Sequence, residues 1–213
     1  MASDKPSIII VGGGGHALSV ADSIHRLSVY DMIGYTDLRD FGKGLKYIGD
    51  DSCLKRLYDE GVSHAAICVG YMGGSCIRDK LYADLKQIGF DFPIIVDPSA
   101  ILSDTAKIDE GTFIGKNAVV NSGAVIGRMC IINTGAIVEH SSAIGDFSHI
   151  AIGAAICGDV SIGEHTLVGA NATILQGVKI GRNSIVGAGS IVLDDVPEDT
   201  CVVGVWKRAS DKN

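Results

Sequence analysis

Residues 118–163 read AVVNSGAVIGRMCIINTGAIVEHSSAIGDFSHIAIGAAICGDVSIG, and the run repeats every six residues. Val120, Ile126, Ile132, Val138, Ile144, Ile150, Ile156 and Ile162 fall on one phase. The phase extends unbroken back through Ile114, Ile108 and Leu102 to Val96, and on through Val168, Ile174, Ile180 and Val186 to Val192. A series this long does not arise by chance in a chain of ordinary aliphatic content. Two residues earlier the side chain is usually small, as at Ala106, Ala118, Ala124, Cys130, Ala136, Ser142, Ser148, Ala154, Ala172, Ser184 and Ser190. One residue later it is often glycine, as at Gly115, Gly127, Gly145, Gly163, Gly169, Gly181 and Gly187. A six-residue strand-and-turn unit accounts for all three columns. The aliphatic residue points inward, the small one fits a crowded corner, and the glycine is expected to supply the backbone angles of the turn. The fold implied is a parallel β-helix.

In proteins with this repeat three hexads close one triangular coil, so residues 18 apart are expected to stack at about 4.8 Å. The stretch is long enough for about five coils without an inserted loop. Upstream the grammar differs. Residues 8–11 (IIIV), 32–36 (MIGYT) and 65–70 (AAICVG) read as strands alternating with helical patterns at 17–27 and 77–87, which predicts a small α/β unit with a parallel sheet. The expected domains are therefore a Rossmann-like unit over 1–93 and a β-helix over 94–213. The first is too short for a complete two-lobed dinucleotide fold.

Composition narrows the function. A net charge of -7 with no basic cluster argues against a nucleic-acid surface. No apolar run approaches a membrane span, and the start, MASDKPSIII, lacks the pattern of a signal peptide, so a cytoplasmic location is expected. The six cysteines form no CxxC pair or zinc-like spacing, and no metal is expected.

An N-terminal GGGGHA (12–17), a YTD (35–37) and the core EHSSAIGDFSHIAIGAAICGDVSIG (139–163) occur together in this order. In this the chain resembles the hexapeptide-repeat acyltransferases of the branch that contains sialic acid O-acetyltransferases and the N-acetyltransferases of bacillosamine, perosamine and other nucleotide-linked 4-amino sugars. The resemblance implies a left-handed β-helix, a homotrimer with active sites between subunits, acetyl-CoA as co-substrate, and a nucleotide-linked amino sugar, UDP-linked in the favoured case, held by the N-terminal domain. It assigns the general base to His140, coenzyme contacts to His149, Gly158, Ala170 and Ala188, and substrate contacts to Gly14, Gly15, His16, Asp37 and Gly70.

The chemistry of these residue types suits the assignment. Transfer to an amine needs a group that removes a proton near neutral pH, as imidazole can, and a donor at the thioester oxygen, a role open to His149. Where the family commonly has an acid after the catalytic histidine, this chain has Ser141. Asp159, eighteen residues on, is the expected replacement carboxylate, with Glu139 as the weaker candidate. The ending GVWKR also departs from the family's usual Gly-x-Pro-Ala-Lys, and Trp206 either covers the coenzyme or packs on the last coil, packing being the commoner role of a terminal aromatic.

Other readings compete. Residues 12–17 with Asp37 also fit a dinucleotide-binding pattern, which the short domain and the fused β-helix disfavour. His165, His25 and His64 carry no assigned role. O-acetylation of a sugar such as sialic acid uses the same base and coenzyme, and a non-catalytic trimeric scaffold or sensor is the reading from a different class.

Overall fold

The computed structural model describes residues 5–70 and 77–207. The chain divides into two compact units that meet in sequence between Pro98 and Ser99, five residues later than the change of sequence grammar suggested. The reason lies at Asp97. Its fully buried carboxylate accepts hydrogen bonds from Ser23 Oγ at 2.7 Å and Arg26 Nη1 at 2.6 Å, which ties this residue to the core of the first unit.

That unit runs β1 (Ser7–Val11), α1 (Gly15–Leu27), β2 (Asp31–Thr36), β3 (Tyr47–Gly49), α2 (Leu54–Asp59), β4 (His64–Ile67) and α3 (Ile77–Ile88). The strands form one parallel sheet in the order β3-β2-β1-β4. Ile8, Ile9 and Ile10 are completely buried, as expected of a central parallel strand covered on both faces. Helix α1 buries Ala17, Val20, Ala21 and Ile24, an i, i+3, i+4, i+7 stripe that turns its apolar side to the sheet. β3 and α2 had no signal of their own in the sequence reading. The order reverses beside β1, with β2 on one side and β4 on the other. Such a reversal opens a crevice at the carboxyl ends of the strands, where α/β sheets hold ligands.

The second unit is the left-handed parallel β-helix of hexapeptide repeats, about six turns long. Each hexad contributes a two-residue strand, and strands 18 residues apart pair in register: Val125 with Ala143, Ser161 and Lys179 on one face, Ile131 with His149, Leu167 and Ile185 on the second, Ile137 with Ala155, Thr173 and Ile191 on the third. The phase residues from Ile114 to Val192 are all buried, as are Ala118, Ala136, Ala154 and Ala172 at the corners. One corner column is polar, and its hydroxyls are satisfied internally. Thr112, Ser148 and Thr166 donate to the carbonyls of Gly127, Gly163 and Gly181, while Thr112 and Ser148 accept from the N–H of the residue one coil on, Cys130 and Thr166. A buried hydroxyl is tolerated here because both its donor and acceptor capacities are used.

Two expectations are corrected. The glycine that follows the inward residue does not supply the turn angles. The left-handed backbone falls two residues later, at Asn117, Met129, Ser141, Phe147, Asp159, His165, Asn171 and Asn183, with φ of 53–61°. What that glycine answers is proximity: a Cβ on Gly163 would lie 2.4 Å from Arg182 N, and one on Gly145 2.5 Å from Glu164 N. The helix also outlasts the five expected coils, because the chain re-enters it after the hexad phase is lost. Val196 bridges Ile180, Val202 pairs with Val186 and Trp206 with Val192, separations of 16, 16 and 14 residues. Shortened coils of this kind carry no period-six signal.

Because the Gly163 Cβ would strike backbone rather than a movable side chain, Gly163→Ala is expected to destabilise the β-helix by about 1–3 kcal/mol. Gly187→Ala, whose Cβ would have its nearest neighbour 3.2 Å away, is expected to cost less. Thermal melts of the two variants check this ranking.

Candidate functional site

In the first unit, the segments that follow β1 and β4 meet at the crevice. Gly12 (φ 103°) donates to the Thr36 carbonyl at 2.8 Å, and a Cβ there would lie 3.0 Å from Val69. Gly13 is pressed against the buried Tyr35 ring, where a Cβ would come within 2.2 Å of Cε2. The next two glycines are different. Among the described residues nothing lies within 4 Å of a Cβ on Gly14, Gly15 or Gly70, the last beyond β4, and none of the three has a positive φ. Neither packing nor backbone geometry requires glycine at these positions, but a ligand backed closely onto the main chain would. Gly14 caps α1 without a side-chain hydrogen bond, and the first turn carries no acid, which leaves the helix start suited to an anion. His16 follows in that turn.

Asp37, just beyond β2, spends both carboxylate oxygens on main chain. Oδ2 accepts from Gly13 N and Oδ1 from Leu38 N, each at 2.7 Å. It therefore holds the glycine loop in shape, a task the sequence reading did not assign to it.

In the second unit, His140 is exposed at the corner that follows the third face. Its imidazole lies over Gly158, one coil on, and a Cβ at that glycine would come within 2.5 Å of both Cε1 and Nε2. The missing side chain of Gly158 is the space that the ring occupies. Ser141 and Asp159 stack on the same corner with φ of 61° and 59°. Asp159 reaches His140 through the main chain, its N–H donating to the His140 carbonyl at 3.0 Å. The Glu139 carboxylate accepts from both the His140 N–H and Asn121 Nδ2, at 3.1 Å each. Among the described residues neither carboxylate hydrogen-bonds the imidazole.

His149 lies on the second face, half-buried, with Nε2 3.1 Å from Asn133 Nδ2. Asn133 Oδ1 accepts from Thr134 N at 2.8 Å, which fixes the amide so that its NH₂ points to the histidine. In the tautomer that accepts this bond at Nε2 the ring carries its proton on Nδ1. Ala170 and Ala188 stack one coil apart on another corner, where Gly189 N donates to the Ala170 carbonyl at 2.8 Å. Trp206 packs on the last coil beside Val192 and donates its indole N–H to the Asp195 carbonyl at 3.2 Å. Among the described residues no group of three metal-ligating side chains converges, and no helix is long and apolar enough to cross a membrane.

Comparison with known proteins agrees with this two-part anatomy. Residues 7–85 match the PglD N-terminal domain, residues 106–139 and 159–194 the hexapeptide repeat of succinyl-transferase, and residues 141–176 the bacterial transferase hexapeptide. PerB from Caulobacter crescentus, solved with CoA and GDP-perosamine, is 32% identical, with 93% of this chain and 94% of that one covered and a TM-score of 0.88. The acetyltransferase domain of PglB from Neisseria gonorrhoeae FA1090, solved with acetyl coenzyme A, is 31% identical over 94% of this chain and 97% of that one, again at 0.88. WeeI from Acinetobacter baumannii AYE, at 24% identity and a TM-score of 0.79, covering 94% of this chain and 97% of its own, shares the fold.

Gly158→Ala is expected to displace the His140 ring while leaving the coil intact, since the atoms that a Cβ meets there belong to a side chain that can rotate away. The His140 imidazole resonances should move in NMR spectra while the melting temperature changes by only a few degrees.

Proposed function

Because this chain belongs to the hexapeptide-repeat acyltransferases of the nucleotide-amino-sugar N-acetyltransferase branch, we propose that it transfers the acetyl group of acetyl-CoA to the amino group of a nucleotide-linked 4-amino-deoxy sugar. The observation that carries the reading is likeness over the whole length of both units to a protein solved with CoA and GDP-perosamine, in a chain whose first unit offers an open glycine cradle and whose second unit sets a histidine on an exposed corner.

His140 serves as general base. The neutral amine attacks the thioester carbonyl, a C–N bond forms, and the imidazole takes the proton that nitrogen sheds. When the C–S bond breaks, the same proton passes to the departing sulfur, leaving the amide and the CoA thiol. The Nδ1–H of His149 is the donor for the carbonyl oxygen as it gains negative charge. Gly158, Ala170 and Ala188 line the path of the coenzyme, and Gly14, Gly15, His16 and Gly70 receive the sugar nucleotide, with Asp37 holding their loop. The resemblance favours UDP, and the GDP-perosamine neighbour makes the base the first variable to test.

The working unit in this reading is a homotrimer. The third face of the β-helix carries Ile101, Val119, Ile137, Ala155, Thr173, Ile191 and Val205 outward in one column along its length. Ile101 and Val205 are 65% and 67% exposed. The first face has Lys107 and Lys179 in the equivalent column. The outward column of the second face is also largely apolar, but Phe113, Ile131 and Leu167 there are buried. An apolar column left exposed along the third face is suited to burial against another copy, and His140 stands at its edge.

Thiol release from acetyl-CoA, measured with UDP-, dTDP- and GDP-linked 4-amino sugars and with free sialic acid, tests the activity. Release is expected with one amino-sugar nucleotide and is expected to fall about 10²- to 10⁴-fold in His140→Ala. Release with sialic acid alone would reassign the chain to O-acetylation, and none with any acceptor would make it a scaffold. Since the ring is seated by Gly158, Asp159→Asn should keep kcat within about threefold, whereas a loss of tenfold or more would make Asp159 the carboxylate partner. Ile137→Lys is expected to yield monomers by light scattering and to abolish thiol release.

A further inference from the structure

Residues 37–44, DLRDFGKG, lead away from β2 and carry two acids and two bases. The structure sorts them. Asp37 is engaged by the N–H groups of Gly13 and Leu38. Asp40 Oδ1 accepts from the Tyr35 hydroxyl at 2.6 Å and from Gly42 N at 2.8 Å, and the Tyr35 hydrogen bond, with that from Gly42, holds its carboxyl below the usual range. Both carboxylates are thus engaged by N–H and O–H donors from the loop itself, from the glycine loop and from β2. Arg39 and Lys43 remain exposed, their cationic groups 5.1 and 5.5 Å from the centre of the Phe41 ring.

The ring itself is half-buried and firmly placed. Phe41 N donates to the Tyr35 hydroxyl at 2.7 Å, and Tyr35 is a fully buried post in the sheet. A Cβ on Gly13 would lie 3.1 Å from Phe41 Cδ2, so the ring stands against the glycine loop, next to the two glycines that face open space. The packing of the unit leaves part of this ring uncovered, between two exposed cations. A ligand with a flat π-face next to negative charge would use all three side chains.

We propose that residues 37–44 form a cation–aromatic clamp for a nucleoside diphosphate, in which Phe41 stacks on the base and Arg39 and Lys43 face the diphosphate. The proposal rests on the nucleotide-sugar reading above and adds to it the residues that recognise the nucleotide. A stacked base displaces one cation from the ring face and frees it for the phosphates. Stacking on an aromatic ring tolerates any base, so selection between bases is left to groups that meet the base edge.

The test is calorimetric binding of UDP, GDP and inorganic pyrophosphate to the full chain, with coenzyme A as the control ligand. Phe41→Leu is expected to weaken UDP and GDP roughly five- to 150-fold, the range for loss of one base–aromatic stack, with pyrophosphate unchanged and Phe41→Tyr restoring wild-type affinity. Arg39→Gln with Lys43→Gln should weaken all three phosphate ligands and flatten their salt dependence, with coenzyme A binding unaltered. Nucleoside diphosphate affinities within twofold of wild type in Phe41→Leu would overturn the clamp. If wild type itself bound neither UDP nor GDP, the nucleotide reading would fall, and the clamp with it.

Discussion

The second unit depends on one constraint: successive coils stack so closely that the backbone of one fills the place where a side chain of the previous one would begin. The prospective Cβ positions of Gly145, Gly163, Gly169 and Gly181 lie 2.3–2.5 Å from main-chain nitrogen of the next coil. Residue identity is therefore constrained at the inward and corner positions, at the contact position of the hexads that carry glycine there, and at the left-handed turn position. The conformational cost of so many glycines is offset by a ladder in which nearly every strand N–H has a partner one coil away. The same stacking seats the candidate base. At Gly158 the vacancy is filled by an imidazole instead of by backbone, so a rule of the fold becomes a means of orienting a reactive group.

The first unit meets a different requirement, that of holding a glycine loop in shape while leaving part of its main chain uncovered. It does so by tethering. The Asp37 carboxylate joins the loop after β1 to the loop after β2, and the Tyr35 hydroxyl pins the continuation from below. The glycines that pack, Gly12 and Gly13, are hemmed in by Val69 and Tyr35, whereas Gly14 and Gly15 are not. A run of four identical residues thus divides into two that build the loop and two that leave it open.

Much of this was legible in the chain. An eighteen-residue stacking distance fixes which residues share a column, so the placement of Asp159 over Ser141 followed from counting, whereas the use of Gly158 as the seat of the His140 ring did not. So did the parallel sheet, because Ile8, Ile9 and Ile10 form an apolar run suited to burial on both faces. What could not be read were features with no period. The short strand Tyr47–Gly49 pairs with β2 through a register shift. The last coils close after 16 and 14 residues. The purpose of the contact glycines was misread, because a glycine required for space and one required for φ look alike in a sequence. Arg39, Phe41 and Lys43 drew no attention because a mixed-charge loop reads as solvated surface until hydrogen bonds show which charges are already compensated.

The serine after His140 illustrates how the corner shapes the site. Position 141 must adopt a left-handed backbone, and the other corners of this type carry Asn, Asp, Gly and a few larger residues. Short polar side chains and glycine tolerate that conformation best, so both Ser141 and the aspartate at 159 are accounted for by backbone geometry before any catalytic role is invoked. The neighbouring acid, Glu139, is committed to the His140 N–H and to Asn121. Orientation of the ring in this chain therefore comes from shape, the absence of a side chain at Gly158, and from a carboxylate that grips the main chain behind it. An imidazole held in this way does not depend for its placement on the side chain at position 141, so a serine can stand there without the corner losing its form.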